Sequence, residues 1–124
     1  MENSAAQTEH GQLKIAAWGQ TDVGLKRPHN EDSIEVSDAL HLYAVADGMG
    51  GHAAGEVASR TALETMHEFI SLTNTQRDFT WPFGLDENLS ISENVLLTAI
   101  QLANRRVCHM AGENADYGGM GTTL

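Results

Sequence analysis

Leu40-His41-Leu42-Tyr43-Ala44-Val45-Ala46-Asp47-Gly48-Met49-Gly50-Gly51-His52 is an apolar run that ends on a carboxylate and then gives way to glycine. The run Leu40 to Ala46 is apolar on both faces, which predicts a central strand. Asp47 at its end can bridge two divalent cations with its two oxygens. Gly48 has no side chain, so its backbone carbonyl oxygen can approach a metal as well. The plain alternative is an Asp-Gly turn after a strand, but the whole glycine string after this particular strand favours the metal site. Gly48 to Ala53 also matches the dinucleotide pattern G-x-G-x-x-G/A. Three features weigh against that reading. Asp47 would set a negative charge against a pyrophosphate. The region near Glu68, where a ribose-binding acid should end a second strand, reads as helix. A hairpin, not a βαβ start, precedes the motif.

Outward from this stretch, Ser33-Ile34-Glu35-Val36 reads as a short strand and Ser37-Asp38 as a hairpin turn. Leu13, Ile15 and Ala17 alternate with polar or small neighbours and predict a first strand. Thr21 to Pro28 is a loop punctuated by Gly24 and Pro28, and residues 1–11 read as a loose polar tail. Beyond the glycines, Ala53 to Leu72 has helical spacing. Ala58, Ala62, Met66, Phe69 and Ile70 share one face, while Glu56, Arg60, Glu64 and His67 share the other. Thr73 to Leu89 is a long connection, with Trp81-Pro82-Phe83 as a packed anchor. Ser90 and Glu93 form a capping box for a second helix, whose apolar face is Val95, Ala99, Ile100, Ala103, Val107 and Met110. Gly112 and Asn114 are stop signals. Gly118, Gly119 and Gly121 then precede the start of another strand, Thr122-Thr123-Leu124. Strands followed by consecutive helices predict an α+β layering with the helices on one sheet face.

The chain of 124 residues suits one small domain, and 41% hydrophobic with 19% charged residues suits a globular one. Its net charge of −10 argues against nucleic acid and against anionic membrane surfaces, because phosphate-rich partners call for Lys and Arg. The same acidity is compatible with divalent cations, and equally with simple solubility. Cys108 is the one cysteine, so an intramolecular disulfide and a Cys-rich zinc site are excluded. Asn114 stands where a cysteine phosphatase loop would need arginine, and Cys108 reads as a packing residue. With no apolar leader at the N-terminus and no membrane-length apolar stretch, the expected location is the cytoplasm.

Four further residues can carry chemistry. Glu31 and Asp32 could bind a metal directly and through water, since Mg²⁺ and Mn²⁺ prefer oxygen ligands; for two acids in isolation, solvated loop charge is the better reading. Arg27 could grip two phosphate oxygens with its fork, or be an ordinary surface arginine. His52 could protonate a leaving alkoxide, or serve a packing role where a helix starts.

Arg27-Pro28-His29-Asn30-Glu31-Asp32, Asp47-Gly48-Met49-Gly50-Gly51-His52 and Gly118-Gly119-Met120-Gly121-Thr122-Thr123, in this order, resemble the metal-dependent protein phosphatases of type 2C, the bacterial serine/threonine branch especially. The resemblance runs from about Leu13 to Leu124. It implies the N-terminal half of a four-layer α-β-β-α sandwich, in which a central β-sandwich is flanked by helix pairs. It also implies hydrolysis of phosphoserine and phosphothreonine in proteins, with two Mn²⁺ or Mg²⁺ ions sharing Asp47. By the family pattern, Glu31 is a direct ligand of the second metal and the Gly48 carbonyl another. Asp32 accepts a hydrogen bond from a metal-bound water, Arg27 binds the substrate phosphate, and Thr122-Thr123 are structural. Animal members carry a histidine directly after the Asp-Gly pair; Met49 stands there, so an acid role does not pass to His52, which stays a weak candidate. The sequence stops within the third motif, before the family's further aspartates. The expected domain is therefore 12–124, partial at its C-terminal side and inactive on its own. A non-catalytic pseudophosphatase that binds phosphoproteins on the same surface is the alternative.

Overall fold

A computed structural model describes residues 14–51 and 53–124. Two antiparallel strands come first, β1 (Asp32–Ser37) and β2 (Leu42–Met49). Ser37 pairs with Leu42 and Asp32 with Asp47. The hairpin turn between them is built as its residues suggest. The Tyr43 hydroxyl donates to Asp38 Oδ1 at 2.9 Å, the His41 N–H donates to the Asp38 carbonyl, and His41 takes the left-handed conformation that closes the bend. Helices α1 (Ala54–Thr75) and α2 (Ile91–Glu113) follow. A single 3₁₀ turn, Ala115–Tyr117, leads into β3 (Gly121–Thr122), and the sheet order is β1-β2-β3. The expected α+β layering is present, and the expected central strand lies between the other two.

One face of the sheet is covered. Leu42 and Ala46 from β2 meet Ala54, Ala58, Ala62, Met66, Phe69 and Ile70 of α1. On its other side α1 receives Ala99, Ala103 and Val107 of α2. Alanines at 58, 62, 99 and 103 are all at most 1% exposed, so small side chains let the two helices approach closely. Phe79 makes edge-on contacts with Phe69 and Trp81 at 5.9 and 4.8 Å between centroids, and this fastens the long connection. α2 starts on the complete capping box of Ser90 and Glu93, as expected. Hydrogen bonding from the Ser90 hydroxyl and from the Ser90 N–H, the latter at 2.7 Å, holds the Glu93 carboxyl below its usual range.

Five expectations are corrected. Cys108, expected to pack, is exposed on α2. Residues 14–20 form no strand: Trp18 is 82% exposed, and Gly19 lies against the Ile34 side chain without entering the ladder. Alternation alone makes no strand when no neighbour completes the hydrogen bonds; Leu13 lies outside the described residues. β2 is central but not covered on both faces, because Val45 on the face away from the helices is 68% exposed. Gly112 does not stop α2, which runs on to Glu113 with Asn114 as its cap; a glycine weakens a helix without ending it. In the connection, Phe79 and Trp81 do the anchoring, while Phe83 is largely exposed.

Candidate functional site

Two neighbouring strands bring the first pair of acids together. Asp32 opens β1, Asp47 lies near the end of β2, and the register sets them directly opposite each other. Opposed residues of an antiparallel pair hold their Cβ atoms about 4.5–5.5 Å apart on one face, and like charges there repel. Both are exposed on the side away from the helices. They line a shallow cavity of ≈ 250 Å³ with Thr21, Ile34, Val45 and Thr123. Neither carboxylate has a basic partner among the described residues, so a cation is the natural complement of the pair.

Asp47 is fixed through its backbone. Its N–H donates to Thr123 Oγ1 at 3.2 Å, and its carbonyl accepts from the Thr123 N–H at 2.9 Å. Thr123 is thus a brace for the strand end, in keeping with the structural role expected of Thr122-Thr123. Gly48 explains itself by close approach: a Cβ there would overlap the Gly55 carbonyl oxygen of α1 and lie 2.7 Å from the Glu31 carbonyl. Its N–H donates to that Glu31 carbonyl at 3.1 Å.

Glu31 sits one residue before β1 and, by strand alternation, on the helix side, opposite in direction to Asp32. Its carboxylate rests against the first turn of α1, where a Cβ on Gly55 would come within 2.7 Å of Glu31 Cδ and Oε1. A carboxylate beside a helix N-terminus is electrostatically favoured. That N-terminus has no side-chain cap, and Ala53 precedes it in a left-handed conformation.

Arg27 is exposed in the loop before β1. Asn30 ties that loop down: its Nδ2 donates to Thr21 Oγ1 at 2.8 Å, and its Oδ1 accepts from the Asp32 N–H at 3.0 Å. Among the described residues Arg27 makes no ion pair. His52 lies outside the described residues.

The donors Glu31, Asp32 and Asp47 are all oxygen, which suits a hard cation such as Mg²⁺ or Mn²⁺. Among the described residues no three His, Cys, Asp or Glu side chains converge on one point. The set therefore fits an ion that keeps several waters, and not one that demands a full protein cage. The antiparallel pairing of β2 with both neighbours removes the dinucleotide reading, since that fold needs parallel strands joined through a helix. Helix α1, packed on this sheet, also contributes what residue reading alone missed: Ser59 and Gly55. A glycine inside the first turn of a helix, four residues before a small polar residue, was the available signal, because glycine in a helix costs stability and implies close packing. No described helix is long and apolar enough to cross a membrane.

Comparison with known proteins bears on the sequence and the fold. No family model matches the chain. The serine/threonine phosphatase stp of Listeria innocua is 36% identical over 112 residues, which is 85% of this chain and 39% of that protein. The serine/threonine protein phosphatase PstP of Mycobacterium tuberculosis is 35% identical over 112 residues, covering 90% of this chain and 18% of that protein. The crystal structure of the M. tuberculosis serine/threonine phosphatase PstP/Ppp superposes with a TM-score of 0.64 at 34% identity, over 84% of this chain and 37% of that one. The chain thus spans about two fifths or less of the length of these relatives.

Proposed function

From its kinship in sequence and fold with the bacterial type 2C serine/threonine protein phosphatases, we propose that the domain to which this chain contributes hydrolyses phosphoserine and phosphothreonine in proteins with the help of two divalent cations, Mn²⁺ or Mg²⁺. The observation that carries the reading is the register of Asp32 against Asp47. It presents two carboxylates on one sheet face, neither of which has a basic partner among the described residues.

Asp47, gripped at both N–H and carbonyl by Thr123, is the residue positioned to hold metal. Glu31, fixed from the helix side, and the Gly48 carbonyl complete this chain's share of the ligands. Asp32, opposite Asp47, would act as an acceptor beside the ion rather than as a direct ligand. Bound cations supply Lewis acidity and a water acidified enough to act as nucleophile near neutral pH. Arg27 binds the phosphate of the substrate, since its fork suits two oxygens at once and makes no ion pair among the described residues. Its charge also favours the transition state, in which negative charge builds on those oxygens.

The test is the Asp47→Ala variant of the full-length protein, assayed for Mn²⁺-dependent phosphate release from a phosphoserine peptide. Turnover should fall by orders of magnitude. Near-wild-type turnover refutes the assignment. Metal-dependent binding of the phosphopeptide without turnover in the wild-type protein selects the non-catalytic reading instead.

A further inference from the structure

We infer that Ser59, a buried hydroxyl on α1, is a positioning residue for the metal site, acting through Glu31. The inference rests on the reading of Glu31 as a metal ligand. Ser59 is 0% exposed, and its Oγ lies 2.6 Å from the Glu31 carbonyl oxygen. A serine hydroxyl has one proton, and this is its shortest acceptor; the intrahelical Glu56 carbonyl is farther at 3.2 Å. With that proton committed, Ser33 Oγ, 2.9 Å away, donates to Ser59 in turn.

Three elements therefore converge on one peptide unit. The Glu31 carbonyl accepts from Ser59 of α1 and from Gly48 of β2, just before β1 begins. The side chain of the same residue lies against Gly55, one helical turn before Ser59 and on the same face. Gly55 leaves the room and Ser59 supplies the bond, so one stripe of α1 sets both the height and the direction of the Glu31 carboxylate. Burial shields this bond from solvent: the Ser59 side chain is 0% exposed, and its hydroxyl is the donor that α1 offers to the Glu31 carbonyl among the described residues. Removing partners that orient a metal ligand typically weakens metal affinity by roughly 10–100-fold.

The experiment is an Mn²⁺ titration of the chain, read by electron paramagnetic resonance of the free aquo ion, for wild type, Ser59→Ala, Ser33→Ala and Glu31→Ala. Thermal melts are recorded beside each titration. Ser33→Ala breaks the same polar cluster while leaving the Ser59–Glu31 bond in place, so it reports the purely structural cost. The expected pattern is a Kd raised by roughly 10-fold or more in Ser59→Ala, a Kd within about twofold of wild type in Ser33→Ala, and similar small drops in Tm for both. An unchanged isotherm in Ser59→Ala, with weakened binding in Glu31→Ala, overturns the inference and leaves the reading of Glu31 intact. Unchanged binding in Glu31→Ala overturns both. Equal losses of affinity in Ser59→Ala and Ser33→Ala overturn the inference as well, because the effect then follows packing and not the bond to Glu31.

Discussion

Replacing Gly48 by alanine adds one methyl group where three pieces of backbone already touch. The new Cβ would overlap the Gly55 carbonyl oxygen, stand 2.6 Å from the Gly55 carbonyl carbon, and 2.7 Å from the Glu31 oxygen. All of these are main-chain atoms in a helix turn or a strand end, so none can swing aside as a side chain would. The first turn of α1 must lift away from β2. Overpacking of this kind costs about 1–3 kcal/mol. Loss of the Gly48 N–H to Glu31 bond adds about 1 kcal/mol. Restricting the unfolded chain returns about 0.4–1 kcal/mol, for a net cost of about 1–3.5 kcal/mol. With a urea m-value of about 1.5 kcal/mol/M, the unfolding midpoint should fall by between about 0.7 and 2.3 M at unchanged slope. Gly112→Ala is the matched control. Nothing lies within 4 Å of the added methyl in α2, so the same chemical change should stabilise by about 0.5–1 kcal/mol. Chemical denaturation followed by circular dichroism reads both. A Gly48→Ala midpoint equal to wild type would refute the claim that β2 and α1 are in backbone contact here.

Asn94 is 2% exposed, and its side chain bonds the Asp86 N–H and the carbonyls of Asp86, Leu89 and Ser90. Asn94→Ala should cost about 2–3 kcal/mol in the same denaturation assay, since it orphans several buried groups at once. Ser90→Ala should remove the α2 cap and cost about 1 kcal/mol. Because the capping box lowers the Glu93 carboxyl, its stabilisation is present above the unfolded carboxylate pKa. It is lost as pH falls through the lowered folded value. The fall in Tm on acidification should therefore be shallower in Glu93→Gln, and parallel pH profiles would contradict the cap. In the full-length protein, Arg27→Ala should mainly raise KM for a phosphoserine peptide while leaving Mn²⁺ affinity near wild type; a collapse of metal affinity would show the role to be wrong.

Where local rules act alone, the sequence was readable. The Ser90–Glu93 box, the apolar stripe of α1 and the turn at Ser37-Asp38 each depend on neighbours within a few residues, and each stands in the structure. The opposition of Asp32 and Asp47 was within reach, because it follows once the hairpin turn fixes the register. Three features were out of reach for a single reason: they depend on what lies across space. Ile15 and Ala17 alternate as strand residues do, yet no described strand pairs with them. Val45 looks like a core residue by type and stands uncovered. The seat of Glu31 is made by Gly55 and Ser59, more than twenty positions away, and neither residue type announces such a task.

The brace on Asp47 has a consequence for timing. Thr123 reaches the strand end from 76 positions away. The α1–α2 pair and the β1–β2 hairpin close over much shorter spans. Closing a long span costs more chain entropy and comes later than local contacts. During synthesis the helices and hairpin can therefore assemble while the backbone at Asp47 still lacks its two bonds to Thr123. Helical content should rise before the strand end is locked in place, and a nascent chain that has not yet displayed Thr123 would have its hairpin and helices but not the two bonds that hold the Asp47 backbone.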